Sequence, residues 1–314
     1  LYRPMAGKWY KMMPVETMRG CPYKCTFCNS PDQTTFYNEK TNSRFFRKKN
    51  LSLVYKELKH FKDKYGVEYN YFWADTFLSW NDREFDEFCE MYADIGLPFW
   101  MQTRPETVTE YKIKRLAKVG LHRISFGLEH GNTEFRRKLL KRDWKNEAII
   151  KALKIPAHHG VPFSVNNITG FPTETRELAM DTIELNRHID SHNQNLYSFV
   201  PFHGTPLRKL CEDMGLVNPT TITKALTDKP MLDQKGYTPE EIEGLQKCFV
   251  YYVKMPKSRW KDIERAEANT PEGEKIFKEL KQEYIERYLT PTQPSLKNES
   301  HNFADLEYGI EHSN

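Results

Sequence analysis

The sequence has no apolar run long enough to cross a bilayer, and its first residues show no signal-peptide pattern. It has few cysteines, six in 314 residues, and three of those are scattered. That is too sparse for a disulfide scaffold, which is small, secreted and dense in cysteine. It has no block of like charge. Lys and Arg interleave with Asp and Glu around a formal net charge of +4, which describes a solvated surface and excludes a clear nucleic-acid footprint. No internal repeat is present beyond an alternation of strand and helix signals. What remains is a chain 39% hydrophobic and 29% charged, ordinary for a globular protein. Its length suits one large domain or one domain plus a satellite. A reducing cytoplasm is the expected setting. The chain opens on Leu1, not Met, so a fragment with sequence missing upstream is expected.

Six strand candidates alternate with helices. Val15 to Met18 runs into the first cysteine cluster. Val67 to Trp73, Pro98 to Thr103, His122 to Leu128, Pro162 to Ile168 and Asn195 to Val200 follow. Between them, Val54, Leu58, Phe61 and Tyr65 mark one helix face, closed by Gly66. Asn81 with Glu84 reads as a capping box for the helix carrying Phe85, Phe88, Tyr92 and Ile95. Further helices are expected from Val108 to Val119, from Thr133 to His159 with Pro156 kinking or shortening it, and from Glu174 to Ile189. Such alternation implies parallel βαβ units with right-handed crossovers. The strand candidates alone leave a doubly wound sheet and a barrel of fewer than eight units both open. After the sixth strand the rhythm stops. Thr238-Pro239-Glu240-Glu241 opens a helix to about Lys254, and Thr270-Pro271-Glu272 another to about Leu289. Residues 290–314 read as a loose polar tail. Trp9, Trp73 and Trp100 are expected in the core. His158-His159 reads as a helix end, and Cys89 as buried packing.

Cys21, Cys25 and Cys28 fall within eight positions, directly after the first strand. A structural zinc site wants four closed ligands, and the nearest histidine, His60, lies on a helix face. Iron–sulfur clusters also take cysteine thiolates, normally four. With three, one iron keeps an open position for a substrate or cofactor. In parallel α/β folds the site gathers at the carboxyl ends of the strands. Asp75 and Thr76, then Gln102, Thr103 and Arg104, then Glu129, then Asn166, Asn167 and Gly170, and then Pro201 and His203 stand there.

The run Cys21-x-x-x-Cys25-x-x-Cys28, with Phe27 before the third cysteine, resembles the signature of radical S-adenosylmethionine (SAM) enzymes. The resemblance covers roughly residues 14–210 and implies an α/β fold, a partial (β/α)6 TIM-like barrel, with a helical C-terminal extension. It implies a lead-in over 1–13, a core over 14–210, a helical extension over 211–289 and a flexible tail over 290–314. It also implies that Cys21, Cys25 and Cys28 hold a 4Fe-4S cluster whose fourth iron takes the amino and carboxylate groups of SAM. Reductive cleavage would then give a 5′-deoxyadenosyl radical that abstracts hydrogen from substrate. By the same resemblance Phe27, Asn29, Asp75, Thr103, Glu129, Arg142, Asn166, Gly170 and Pro172 contact the cofactor. Glu129 would meet the SAM ribose or amino group, Arg142 the SAM carboxylate, and Gly170-Phe171-Pro172 would pack near adenine. The bland alternatives are a turn cap for Asp75, a structural carboxylate for Glu129 and a surface arginine for Arg142.

Finer elements resemble the class that usually carries an upstream cobalamin-binding domain. They are Glu16 to Tyr23, Asp75-Thr76-Phe77, Gly127-Leu128-Glu129-His130-Gly131 and Pro201 to Leu207. That class includes methyltransferases acting on unreactive carbons, oxidative cyclases and ring-rearranging enzymes. The chain lacks the Asp-x-His-x-x-Gly motif of the cobalamin domain, so cobalamin is an inference about a missing or separate domain. An electron donor such as flavodoxin or ferredoxin is implied, and a small-molecule or lipid-like substrate. Two alternatives stand beside this reading: a methylthiotransferase-like radical SAM enzyme, and a non-catalytic iron–sulfur or zinc module.

Overall fold

The computed structural model describes residues 1–288. The polar tail and the helix end expected at Leu289 lie outside the described residues. The chain starts with an antiparallel hairpin, β1 (Tyr2–Met5) and β2 (Lys8–Glu16). Ala6 and Gly7 make its turn at φ 51° and 75°, the left-handed pair that a tight hairpin needs. The residues expected as a lead-in therefore form a strand pair, and the first parallel strand is longer than its apolar end suggested.

Five more strands pair in parallel: β5 (Tyr69–Trp73), β6 (Phe99–Thr103), β7 (Leu121–Glu129), β8 (Phe163–Thr169) and β9 (Asn193–Ser198). The sheet order is β1-β2-β5-β6-β7-β8-β9. Each parallel strand lies beside the next one in sequence, so the sheet curls into an unclosed half-barrel of six parallel strands. The two-residue strands β3 (Met18–Arg19) and β4 (Arg47–Lys48) pair separately after the first turn.

The crossover helices are α1 (Asn29–Lys40), α2 (Leu51–Tyr65), α3 (Asp82–Ile95), α4 (Glu110–Val119), the single turn α5 (Thr133–Phe135), α6 (Asn146–His158) and α7 (Arg176–Arg187). Local chemistry sets their ends. Asn81 and Glu84 form the expected capping box, and Gly66, Gly96 and Gly120 close α2, α3 and α4 in the left-handed conformation. Helix α6 runs through Pro156 to His158. A proline in the last turn removes few hydrogen bonds, so the expected shortening does not occur. Helix α1 follows the third cysteine without an amphipathic signal. Its N-cap is Cys28, whose sulfur accepts from the Ser30 amide.

The main core lies between the outer sheet face and α2, α3, α4 and α6. Phe72, Met101, Ile124, Phe126 and Val165 meet Leu58, Phe88, Tyr92, Leu116 and Leu153 there. Cys89 is buried in that core, as expected. Two tryptophans depart from expectation. Trp100 is buried, but Trp9 and Trp73 are 59% and 57% exposed. Trp9 sits on the stretch of β2 that pairs only with β1, and Trp73 ends β5 at the mouth of the half-barrel.

After β9 come α8 (Pro206–Asp213), α9 (Pro239–Lys254), α10 (Trp260–Glu267) and α11 (Pro271–Arg287). Helix α9 starts at the expected Thr238–Glu241 capping box. Ile242, Leu245, Phe249, Ile263, Leu280 and Tyr284 form a second core that meets Ala179 and Ile183 of α7. Arg187 at the end of α7 donates to the carbonyls of Tyr252, Val253 and Met255, binding the C-terminal helices to the barrel. No helix among the described residues is long and apolar enough to cross a membrane.

Candidate functional site

The three clustered cysteines occupy the loop between β3 and α1. All three are free and half-buried, whereas Cys89, Cys211 and Cys248 are free and buried one by one in helix faces. Thr26, in the middle of the loop, fixes its course. Its hydroxyl donates to Leu139 O at 2.6 Å, its amide to Leu140 O, and its carbonyl accepts from the Leu207 amide. Leu139 and Leu140 end a π-helical turn, Arg136–Leu140, an irregularity frequent at functional sites. Cys21 Sγ lies 3.3 Å from Thr76 Oγ1, just past β5. Cys25 Sγ accepts from Arg104 Nη1 at 3.3 Å, just past β6. Burial raises the Cys25 thiol, against the pull of Arg142 and Arg104, and pushes Cys28 up to about 12.

Strand β7 ends in Glu129. The β7–β8 register shifts between Gly127 and Glu129, and Glu129 adopts φ 74°. A bulge followed by a left-handed residue re-aims a side chain, and a non-glycine residue in that conformation marks stored strain. The carboxylate folds back over Gly127, where a Cβ would lie 2.4 Å from Glu129 Oε1. Arg142, which follows the π turn, holds it there. Its Nη1 donates to Glu129 Oε1 at 2.6 Å, and its Nη2 to Gly127 O at 2.8 Å and Glu106 Oε2 at 3.4 Å. Burial raises the Glu129 carboxyl despite Arg142. Burial would raise Glu106 too, but Arg142 and Arg104 outweigh it and hold that carboxyl below its ordinary range.

The other expected residues divide. Phe27 packs edge-on against Phe171, with ring centroids 6.1 Å apart, bringing the Gly170-Phe171-Pro172 element to the cysteine loop. Gly170 takes φ 79°, and a Cβ there would meet Ile242 of α9 at 2.9 Å. Pro172 is buried. Asp75 is exposed on the turn after β5. Asn29 starts α1, and its Oδ1 is buried with no hydrogen-bond partner among the described residues. Thr103 faces the other way. Its hydroxyl pairs with Thr107 at 2.7 Å and accepts from the Leu78 amide. Asn166 lies inside the half-barrel, bonded to Ser125 and Asn195. Arg142, expected at a cofactor carboxylate, is turned onto protein carboxylates. Thr76 and Arg104, expected at the strand ends, and Gly127 belong to this constellation, and Glu106, which no expectation named, joins them.

Among the described residues no three His, Cys, Asp or Glu side chains are grouped to hold a single metal ion. A zinc ion needs its ligands to converge on one point. A cluster gives each thiolate its own iron, so three free thiols of one loop fit it without converging on a single point. Buried atoms without a partner among the described residues, Asn29 Oδ1 and Ser30 Oγ just after Cys28 and Nε of the arginine that touches Cys25, fit a polar group seated at this loop.

A family model described as the Radical SAM superfamily matches residues 15–185. An uncharacterized methyltransferase of Pyrococcus horikoshii is 28% identical over 254 residues, spanning 79% of this chain and 53% of that protein. The radical SAM methyltransferase TsrM of Kitasatospora setae, solved with tryptophan and a SAM analogue, superposes with a TM-score of 0.56. It is 17% identical, and the match covers 71% of this chain and 43% of TsrM. The cobalamin-dependent SAM radical enzyme OxsB, solved with aqua-cobalamin, superposes at 0.54 with 15% identity, over 90% of this chain and 49% of OxsB. The chain thus spans about half the length of these proteins, and the two superpositions show a common fold.

Proposed function

We propose, from the premise that this chain belongs to the Radical SAM superfamily, that it is the catalytic core of a radical SAM enzyme of the cobalamin-dependent methyltransferase kind. The observation that carries this reading is the cysteine loop. Three free thiols follow the first parallel strand, and Glu129 ends the fourth, near enough for its charge to act on Cys25. Cys21, Cys25 and Cys28 would hold a 4Fe-4S cluster and leave one iron open to SAM. When bound, cluster and SAM together supply a 5′-deoxyadenosyl radical by reductive cleavage of the sulfonium.

The chain's own residues would bind and orient. Glu129 accepts from the SAM amino group or ribose, and Arg142 fixes its carboxylate rather than meeting SAM itself. Gly170 and Pro172 shape the wall beside Phe27 against which the adenine would pack, and the room left by the missing Gly170 side chain goes to Ile242 of α9. Asn29 offers an unpaired acceptor, Asp75 a free carboxylate at the rim, and Asn166 an amide inside the half-barrel. Thr103 acts as a brace. TsrM, whose solved structures include one with cobalamin and a [4Fe-4S] cluster, supports a methyl-transfer outcome with cobalamin supplied by another domain or chain. A flavodoxin or ferredoxin would deliver the electron, and the oxygen lability of such clusters fits a reducing cytoplasm.

The test is anaerobic. The full chain is loaded with iron and sulfide, reduced with dithionite and given SAM, and 5′-deoxyadenosine and methionine are quantified beside Cys25→Ala. The expected result is about four irons per chain and cleavage that Cys25→Ala abolishes. One zinc per chain and intact SAM would overturn the reading.

A further inference from the structure

The ligand role of Cys25 leaves the arginine that touches it without work. Arg104 is 9% exposed and is gripped on three sides. Nη1 reaches Cys25 Sγ at 3.3 Å, Nη2 is bonded to Glu106 Oε1 at 2.6 Å, and the guanidinium carbon lies 3.7 Å from the centre of the Tyr23 ring. A thiol is a weak acceptor and does not justify burying a guanidinium against it. A thiolate is a strong acceptor, and a charge-assisted bond to it does. Arg142 lies close by, but its donors go to Glu129, Glu106 and the Gly127 carbonyl, so Arg104 is the arginine that reaches the sulfur.

The pair also has a direction. Glu106 pairs with Arg104 at the other terminal nitrogen, Nη2, and leaves Nη1 to Cys25. Arg104 and Glu106 thus form a dipole whose positive end is at the sulfur. Adding an electron to an iron–sulfur centre increases negative charge on its thiolates. Hydrogen bonds and positive charge at those sulfurs favour the reduced form.

We propose that Arg104 tunes the iron–sulfur centre: it donates to the Cys25 thiolate and raises the centre's reduction potential, while Glu106 holds the arginine in place and moderates its charge. The inference rests on the reading that Cys21, Cys25 and Cys28 hold such a centre. Arg104 is a positioning residue in this account and Tyr23 is the surface it lies on.

The test uses the full chain, loaded anaerobically, with iron content measured first. The midpoint potential is then titrated in the presence of mediators and followed by the cluster's visible absorption. Arg104→Gln should lower the equilibrium constant for reduction about tenfold, which is about 59 mV for a one-electron couple. Glu106→Gln should shift it the opposite way, because the glutamine oxygen still accepts from Arg104 Nη2 and keeps the arginine on the sulfur, while the counter-charge is lost. A purely structural role would reduce cluster content in both variants without potentials of opposite sign. An unchanged or raised potential in Arg104→Gln overturns the proposal, as does a lowered or unchanged one in Glu106→Gln. If Arg104→Gln takes up no cluster, Glu106→Gln alone decides by the same criterion. Absence of a cluster in the unaltered protein would overturn the functional reading, and this inference with it. A cluster with unmoved potentials overturns only the inference.

Discussion

Gly127→Ala isolates the device that aims Glu129. Gly127 lies in β7, and its backbone needs no glycine conformation. In a strand interior alanine is favoured over glycine by roughly 0.5–1 kcal/mol. Taken alone, the substitution should stabilise the protein slightly. The new methyl group, however, would sit 2.4 Å from Glu129 Oε1 and 3.5 Å from its carboxyl carbon. The carboxylate cannot yield freely, because Arg142 holds the same oxygen at 2.6 Å and the arginine side chain is only 4% exposed. Moving Glu129 aside breaks that pair and leaves a buried guanidinium with a weaker partner, Glu106 at 3.4 Å. Breaking one arm of a buried ion pair costs about 3–5 kcal/mol when a partner is deleted. The displaced glutamate stays near, so about 2–3 kcal/mol is the estimate here. The net expectation is a loss of about 1–2 kcal/mol.

The control is the same change made in Glu129→Ala. With the carboxylate gone the methyl meets no close atom except Arg142 Nη1 at 3.7 Å, ordinary contact. There Gly127→Ala should be neutral or stabilising. The strain at position 129, φ 74°, is common to both backgrounds and cancels. Chemical denaturation of the four proteins gives the coupling directly. A coupling of about 2 kcal/mol with a change of sign supports the account. Equal costs in both backgrounds would refute it, because the glycine would then be answering to something other than Glu129. SAM binding by equilibrium dialysis should fall about tenfold or more in Gly127→Ala.

Two further expectations can be measured on the same material. His122, hydrogen-bonded to Tyr69, and His192 are both held below the ordinary histidine range, first by burial and then by Arg123. Unfolding therefore takes up protons below about pH 6.5, so stability should be flat above about pH 7.5 and fall as pH drops toward 5. His122→Gln should flatten part of that slope, and an unchanged slope in His122→Gln and His192→Gln would count against it. The fully buried His130 donates from Nε2 to Glu174 at 3.1 Å, accepts the Asn132 amide at Nδ1, and stacks on Phe135. His130→Ala should cost about 3–5 kcal/mol by leaving a buried carboxylate short of a donor and a void beside Phe135. Adding Glu174→Gln should recover part of the loss in a denaturation curve, and a further loss of equal size would contradict the pairing.

The parallel strands after the first were legible to within two residues, because buried strands concentrate aromatic and β-branched residues between turn signals. The elements that escaped lack that contrast. Helix α1 is polar apart from Phe36 and Tyr37 and takes its cap from a cysteine, and the β1–β2 hairpin hides behind Lys8, Lys11 and Pro14. The cysteines were legible from spacing alone. Gln102, Thr103 and Arg104 all stand at the end of their strand and the family resemblance points to Thr103, but side chains alternate along a strand. Phe99 and Met101 belong to the core, so Thr103 shares their face and braces the turn, and the site receives the next residue, Arg104. That correction was available from the sequence. The placing of Glu129 was not. Alternation puts it on the face of Gly127, but only the register slip against β8 and the left-handed turn bring its carboxylate back over that glycine and onto Arg142. A register is a relation between two strands, and neither strand's residues state it alone. Likewise Glu106 and Arg142, thirty-six positions apart, become one network only because neighbouring strands deliver their loops to the same end of the barrel.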